Sequence, residues 1–154
     1  MTVIVWDGKT LAADKQTTDG GQKIKCTKIF KWKGHLVGGS GTAVLNEAMF
    51  EWFKDGADVA SFPDYITIES DDDCHMLVIT PKGKILNYEN NPYPMDYTEN
   101  KVFAIGCGAP YAYAAMSMGA DAVKAVEVAI QNDANCGMGI DKLQLSRRKI
   151  WEVL

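Results

Sequence analysis

The sequence has no apolar run near the roughly 18 to 20 residues that a membrane helix needs, so no membrane partner is expected. It has no excess of positive charge. Against 20 Asp and Glu stand 16 Lys and Arg, a net charge of −4, which disfavours a surface for nucleic acid or anionic lipid. Its four cysteines, Cys26, Cys74, Cys107 and Cys136, never fall in a C-x-x-C spacing, and no secretory leader precedes the first strand. Free thiols in a reducing cytoplasm are therefore expected rather than a disulfide framework. Histidine is scarce, with only His35 and His75. The run Asp71-Asp72-Asp73-Cys74-His75 enters a strand, where neighbouring side chains alternate faces and do not converge on one ion, so it reads as a solvated acidic loop. No metal and no cofactor is expected. His35 lies beside a hairpin turn and is expected to be exposed, and neither cysteine 74 nor 107 carries an independent Cys-His hydrolase motif.

What is present is an ordinary soluble composition: 154 residues, 47% apolar and 23% charged. That length is sufficient for one core and short for two, so one domain over 1–154 is expected. Apolar runs at 2–6 and 10–13 flank Asp7-Gly8-Lys9, a hairpin signal because glycine accepts positive φ. Residues 17–21 are turn-rich. Runs at 28–32 and 35–38 flank Lys33-Gly34 as a second hairpin, and Gly38-Gly39-Ser40-Gly41 is expected to break the strand and lead into a helix. Leu45, Met49, Trp52 and Phe53 recur at helical spacing as far as Asp55-Gly56, with Trp52 and Phe53 in the core. Residues 61–73 are irregular, 76–79 and 84–86 form a third hairpin, 90–94 is a loop, and 101–105 is a short strand. A helix starts at Gly106-Cys107-Gly108-Ala109-Pro110 and runs to Met118, and Asp121 caps another through Gln131. A turn over 132–139 leads to one last strand or helix. Strands joined by hairpins, with helices segregated from them, predict an α+β fold on largely antiparallel sheet.

Thr2 heads the first strand. A threonine hydroxyl is a poor nucleophile until a base takes its proton, and the α-amine of the same residue can be that base, with a reference pKa of about 7.7 to 8. Removal of Met1, as generally occurs before a small residue, exposes that amine. The segment Leu11-Ala12-Ala13-Asp14, then Lys28-Ile29, then Gly38-Gly39-Ser40-Gly41, resembles the N-terminal half of proteasome-type N-terminal-nucleophile hydrolases, with the closest match to bacterial HslV-type subunits. Phe103-Ala104-Ile105-Gly106-Cys107-Gly108-Ala109-Pro110 resembles the glycine-flanked turn of that family, and Asp133-Ala134-Asn135-Cys136-Gly137 its Asp-x-x-Ser-Gly element.

The resemblance implies a four-layer αββα sandwich and a threonine-type endopeptidase. Thr2 matches the nucleophile, Lys28 the lysine that keeps its amine neutral by like-charge repulsion, and Asp14 the aspartate that pairs that lysine. Backbone N–H groups of Gly38 to Gly41, with Ser40 at the closest-matching position, match the oxyanion hole, and Asp133 the carboxylate that supports the N-terminus. Cys107 and Cys136 stand where serines are usual, and a thiol is the weaker hydrogen-bond donor. Val3 replaces a common second threonine, and the interval from Thr2 to Asp14 is shorter than usual. The partners implied are unfolded polypeptide as substrate, copies of the same chain in a ring or double ring, and a ring ATPase unfoldase of HslU type. The competing expectations are a catalytically silent subunit kept for assembly and an amidohydrolase of small amides.

Overall fold

In the computed structural model, which describes residues 1–146, strand β1 (Ile4–Trp6) turns through Asp7-Gly8-Lys9 into β2 (Thr10–Asp14), with Ile4 opposite Ala13 and Trp6 opposite Leu11. Asp7 locks that turn: one carboxylate oxygen accepts from the N–H groups of Lys9 and Thr10, the other from Ala122 at the start of a helix. Two strands follow that the turn-rich reading of 17–21 did not anticipate, β3 (Gln16–Asp19) and β4 (Gln22–Lys25), paired about Gly20-Gly21. They lack apolar alternation because most of this ribbon faces solvent, Ile24 included, so there is no buried face to impose a period of two.

The hairpin of β5 (Ile29–Trp32) and β6 (His35–Gly41) turns at Lys33 and Gly34, whose φ angles of 46° and 80° match a two-residue turn of the primed type. The expected break at Gly38 to Gly41 is corrected here: β6 continues through all four residues, pairing them with β7 (Cys74–Ile79) from Gly38–Leu77 to Gly41–Cys74. The glycines serve packing. A Cβ on Gly38 would come within 2.9 Å of Ile29 and 3.0 Å of Ile4, and one on Gly39 within 2.6 Å of Phe50. Helix α1 (Ala43–Lys54) follows, then β7, β8 (Ile85–Glu89), and a two-residue edge strand β9 (Met95–Asp96) beyond the expected loop. The chain continues through β10 (Phe103–Ile105), α2 (Ala109–Ser117), α3 (Ala122–Asn132) and β11 (Ile140–Gln144). Asp121 caps α3, its carboxylate accepting from Lys124 N at 2.8 Å.

The strands form an antiparallel four-stranded sheet ordered β10-β1-β2-β11 and a five-stranded sheet ordered β5-β6-β7-β8-β9. The class is α+β. Strand alternation builds three apolar clusters. Val3, Val5 and Ala12 pack with the alanine-rich faces of α2 and α3; Ile4, Trp6, Leu11 and Ala13 face Leu36, Leu77, Ile79 and Ile85 of the other sheet; Val37, Met76 and Val78 face Met49, Phe50 and Trp52 of α1. The order is helices, sheet, sheet, helix. Trp52 is in the core, whereas His35 is half-buried with its ring 5.4 Å from Phe53.

Candidate active site

Asp14, the last residue of β2, is fully buried and accepts four hydrogen bonds. One carboxylate oxygen takes Val3 N at 3.1 Å and Lys28 Nζ at 2.8 Å; the other takes Gln16 N at 3.2 Å and Gly137 N at 3.0 Å. Three backbone donors and a cation satisfy a buried charge that would otherwise be costly. Lys28, ahead of β5, is itself 8% exposed, and its ammonium also donates to the Met1 carbonyl at 3.0 Å. The ion pair therefore lies against the peptide that joins Met1 to Thr2.

Thr2 is buried ahead of β1, and the turn after β10 holds it. Its N–H donates to Cys107 Sγ at 3.3 Å, while its carbonyl accepts from Gly108 N at 3.1 Å. Gly106, between β10 and α2, has φ 96°, and a Cβ there would fall 2.1 Å from the Thr2 carbonyl oxygen. Only glycine permits that approach.

The turn after α3 brings the third wall. Asp133 ends that helix and accepts from Asn135 N at 2.9 Å, which holds its carboxyl below the usual range. Cys107 Sγ, Cys136 Sγ and an Asp133 carboxylate oxygen all lie within 4.8 Å of one another. Burial above all, then the charge of Asp14, raises the Cys136 thiol strongly. Cys107 is exposed toward the cavity, yet the partial desolvation of its sulfur, helped by the Asp133 carboxylate, also raises its thiol.

Thr2, Ser40, Gly41 and Cys107 line one cavity of ≈ 630 Å³, together with Asp73, His75, Asn87 and Glu89. Gly39 N donates to Lys28 O and Thr42 N to Asp73 O, so odd-numbered residues of this stretch turn toward β5 and even-numbered ones toward β7. Gly41 thus presents its N–H on the β5 edge, past the point where β5 begins at Ile29. A Cβ on Gly41 would sit 2.1 Å from Asp73 O. Among the described residues Asn87 Oδ1 is the one fully buried side-chain oxygen or nitrogen without a hydrogen-bond partner.

All eight residues that the sequence points to are thus at or beside one place, with Thr2, Asp14, Lys28, Cys107, Asp133 and Cys136 clustered and Ser40 and Gly41 on the facing strand. Sequence reasoning missed Gln16 and Asn87, and quoted Gly106 and Gly137 only as members of motifs, without a role. The two glycines stand in the motifs around Cys107 and Cys136, whereas Gln16 acts through its backbone N–H and Asn87 lies mid-strand, and neither carries a signal. The acidic run splits as alternation requires: residues 71–73 are exposed, Cys74 is buried against Asn46 and Met49, and His75 lies 3.5 Å from Glu89.

No family model and no curated protein sequence matches the chain. Solved structures do. BPH of Thiobacillus denitrificans in complex with epoxomicin superposes with a TM-score of 0.68 at 23% identity over 96% of this chain and 100% of that one. HslV of Trypanosoma brucei gives 0.70 at 19% over 95% and 99%, and a Gly-1 mutant of Anbu from Hyphomicrobium sp. strain MC1 gives 0.69 at 12% over 95% and 82%. The chain has the fold of proteasome-type N-terminal-nucleophile hydrolase subunits.

Proposed function

We propose that this fold carries a threonine-type peptidase whose nucleophile is the Thr2 hydroxyl once Met1 has been removed. The observation that carries the reading is the buried Asp14–Lys28 pair, 2.8 Å long, whose ammonium also touches the Met1 carbonyl beside Thr2. A cation fixed there disfavours a second one, so it holds the freed amine neutral and able to accept a proton. The Thr2 hydroxyl attacks a substrate carbonyl while its own amine takes the proton. The Gly41 N–H is the donor placed for the resulting oxyanion. The proton passes to the departing amine, and water then hydrolyses the Thr2 ester to regenerate the site. Cys107, which accepts from Thr2 N, and Asp133 with Cys136 behind it keep the amine oriented.

The likeness to HslV and BPH supports the wider reading: copies of this chain form a ring or double ring that encloses the site, substrate enters as unfolded polypeptide, and a ring ATPase supplies it. The competing reading, a catalytically silent subunit kept for assembly, requires that Met1 stay in place, since its retention leaves no free amine at Thr2.

Intact mass decides between them. Loss of one methionine, covalent labelling by epoxomicin and hydrolysis of a fluorogenic peptide are expected together. In Thr2→Ala, labelling should vanish and turnover should fall at least about 1,000-fold. A chain that keeps Met1 in cells with normal aminopeptidase, or undiminished turnover in Thr2→Ala, overturns the reading.

A further inference from the structure

The peptidase chemistry uses Thr2, Lys28 and Asp14, and leaves the two thiols without a task that serine would not perform better. Cys107 Sγ, Cys136 Sγ and an Asp133 oxygen, all within 4.8 Å of one another, are arranged as three donors around one point. A tetrahedral zinc ion with about 2.3 Å bonds to sulfur holds its sulfur ligands roughly 3.8 Å apart, so little movement closes the set. The fourth donor stands beside them: Thr2 N is 3.3 Å from Cys107 Sγ, and removal of Met1 converts it from an amide that cannot ligate into an amine that can.

We propose that Cys107, Asp133, Cys136 and the freed Thr2 amine form a binding site for a borderline-soft divalent cation of the Zn²⁺ class, and that filling it switches the nucleophile off. Two thiolates and one nitrogen select such a cation over Mg²⁺ or Ca²⁺, which prefer sets made wholly of oxygen. Asp14 already pairs the Lys28 ammonium, so the charge that offsets a dication comes from the donor set itself, two thiolates and the Asp133 carboxylate. Each thiol releases its proton to water as its sulfur binds the metal, and the amine lone pair that would accept the Thr2 proton is committed to the metal instead. The amine ligand and the switch rest on the peptidase reading; the Cys107–Asp133–Cys136 donor set does not. While Met1 remains, water takes the fourth position.

The reduced chain is titrated with Co²⁺ as a spectroscopic probe and with Zn²⁺ as competitor. A thiolate-to-cobalt charge-transfer band should appear at one equivalent and be displaced by Zn²⁺. Cys107→Ser and Cys136→Ser should each weaken Zn²⁺ binding by at least about 100-fold, whereas Cys26→Ser should bind like the parent. Cys107 is exposed, so its variant remains informative if the buried Cys136→Ser fails to fold. No band, or a band that survives in Cys107→Ser, overturns the site whether or not peptides are cleaved. A band that follows the cysteines in a chain with no turnover keeps the site and defeats the peptidase reading. Turnover unaffected by saturating Zn²⁺ overturns the switch.

Discussion

Asp14 is the residue on which the site depends, because Val3, Gln16, Gly137 and Lys28 all donate to its carboxylate. Asp14→Asn replaces one acceptor oxygen with a donor facing donors and leaves the Lys28 ammonium uncompensated. Removing one partner of a buried pair costs about 3–5 kcal/mol, so denaturant titration should show a loss of that size, and labelling of Thr2 should fall with it. A loss under about 1 kcal/mol would mean that water reaches the pair. A second prediction concerns Cys74, whose thiol burial pushes up from 9.0 to about 12. Between those values the unfolded chain ionises and the folded one does not. Stability from this group is therefore complete below pH 9 and declines above it by about 1.4 kcal/mol per pH unit, ending near pH 12. Comparing the parent with Cys74→Ala from pH 8.5 to 10.5 isolates that slope, which the variant should lack. At this scale Thr2, Asp14 and Lys28 stood out only through the order of motifs that resembles the proteasome-type hydrolases, because a threonine, an aspartate or a lysine taken singly is an ordinary strand or surface residue. The bonds of Gln16 and Gly137 to Asp14 were not legible, although Gly137 stands in a recognised motif, since both are made by backbone N–H groups that every residue other than proline possesses.

Elements were legible where one face is buried. The hairpins at Asp7-Gly8-Lys9 and Lys33-Gly34 and the helix on Met49 and Trp52 follow from period and turn chemistry, as built. The solvent-facing β3–β4 ribbon left no period to find, and the glycines of β6 signalled a break where contact with Ile4, Ile29 and Phe50 instead requires bare backbone in a paired strand. Gly106 belongs to the same class, and it joins β10 to α2 so that the Thr2 carbonyl passes 2.1 Å from the place of a Cβ. Gly106→Ala must move either the turn or Thr2 and must hold alanine at φ 96°. A stability loss of roughly 1–3 kcal/mol is expected, with Thr2 labelling lost even in folded protein. Asp121→Ala makes the contrast: it removes a cap at the far end of the same helical pair, so about 1 kcal/mol should go while labelling stays. Equal damage to labelling by both variants would show that global stability, and not the turn, sets the position of Thr2.

Across the whole molecule, the three apolar layers differ in the size of their side chains, and that difference places the site. The layer between β1, β2 and the α2–α3 pair is built on Ala12, Ala104, Ala112, Ala122, Ala125 and Ala129, whereas the layer under α1 holds Met49, Phe50, Trp52 and Tyr88. Small side chains let α3 lie close to the sheet, so the turn that follows it reaches Asp14 through Gly137 and Thr2's neighbour Cys107 through Cys136 and Asp133. Ala129 is part of a close contact: a Cβ on Gly108 would stand 2.8 Å from Val3 Cβ, 3.0 Å from Cys136 Sγ and 3.1 Å from Ala129 Cβ. Ala129→Leu adds three carbons with no void to take them and should cost about 1–3 kcal/mol. The helix can yield only outward, carrying residues 133–137 away from Asp14 although residue 129 touches no reacting group. Epoxomicin labelling should therefore slow in folded Ala129→Leu, while Val44→Ala, at an exposed position on α1 in the opposite outer layer, should leave it unchanged. Normal labelling in Ala129→Leu together with an unshifted melting temperature would mean that the alanine layer tolerates a wider spacing and that the turn after α3 holds the site without it.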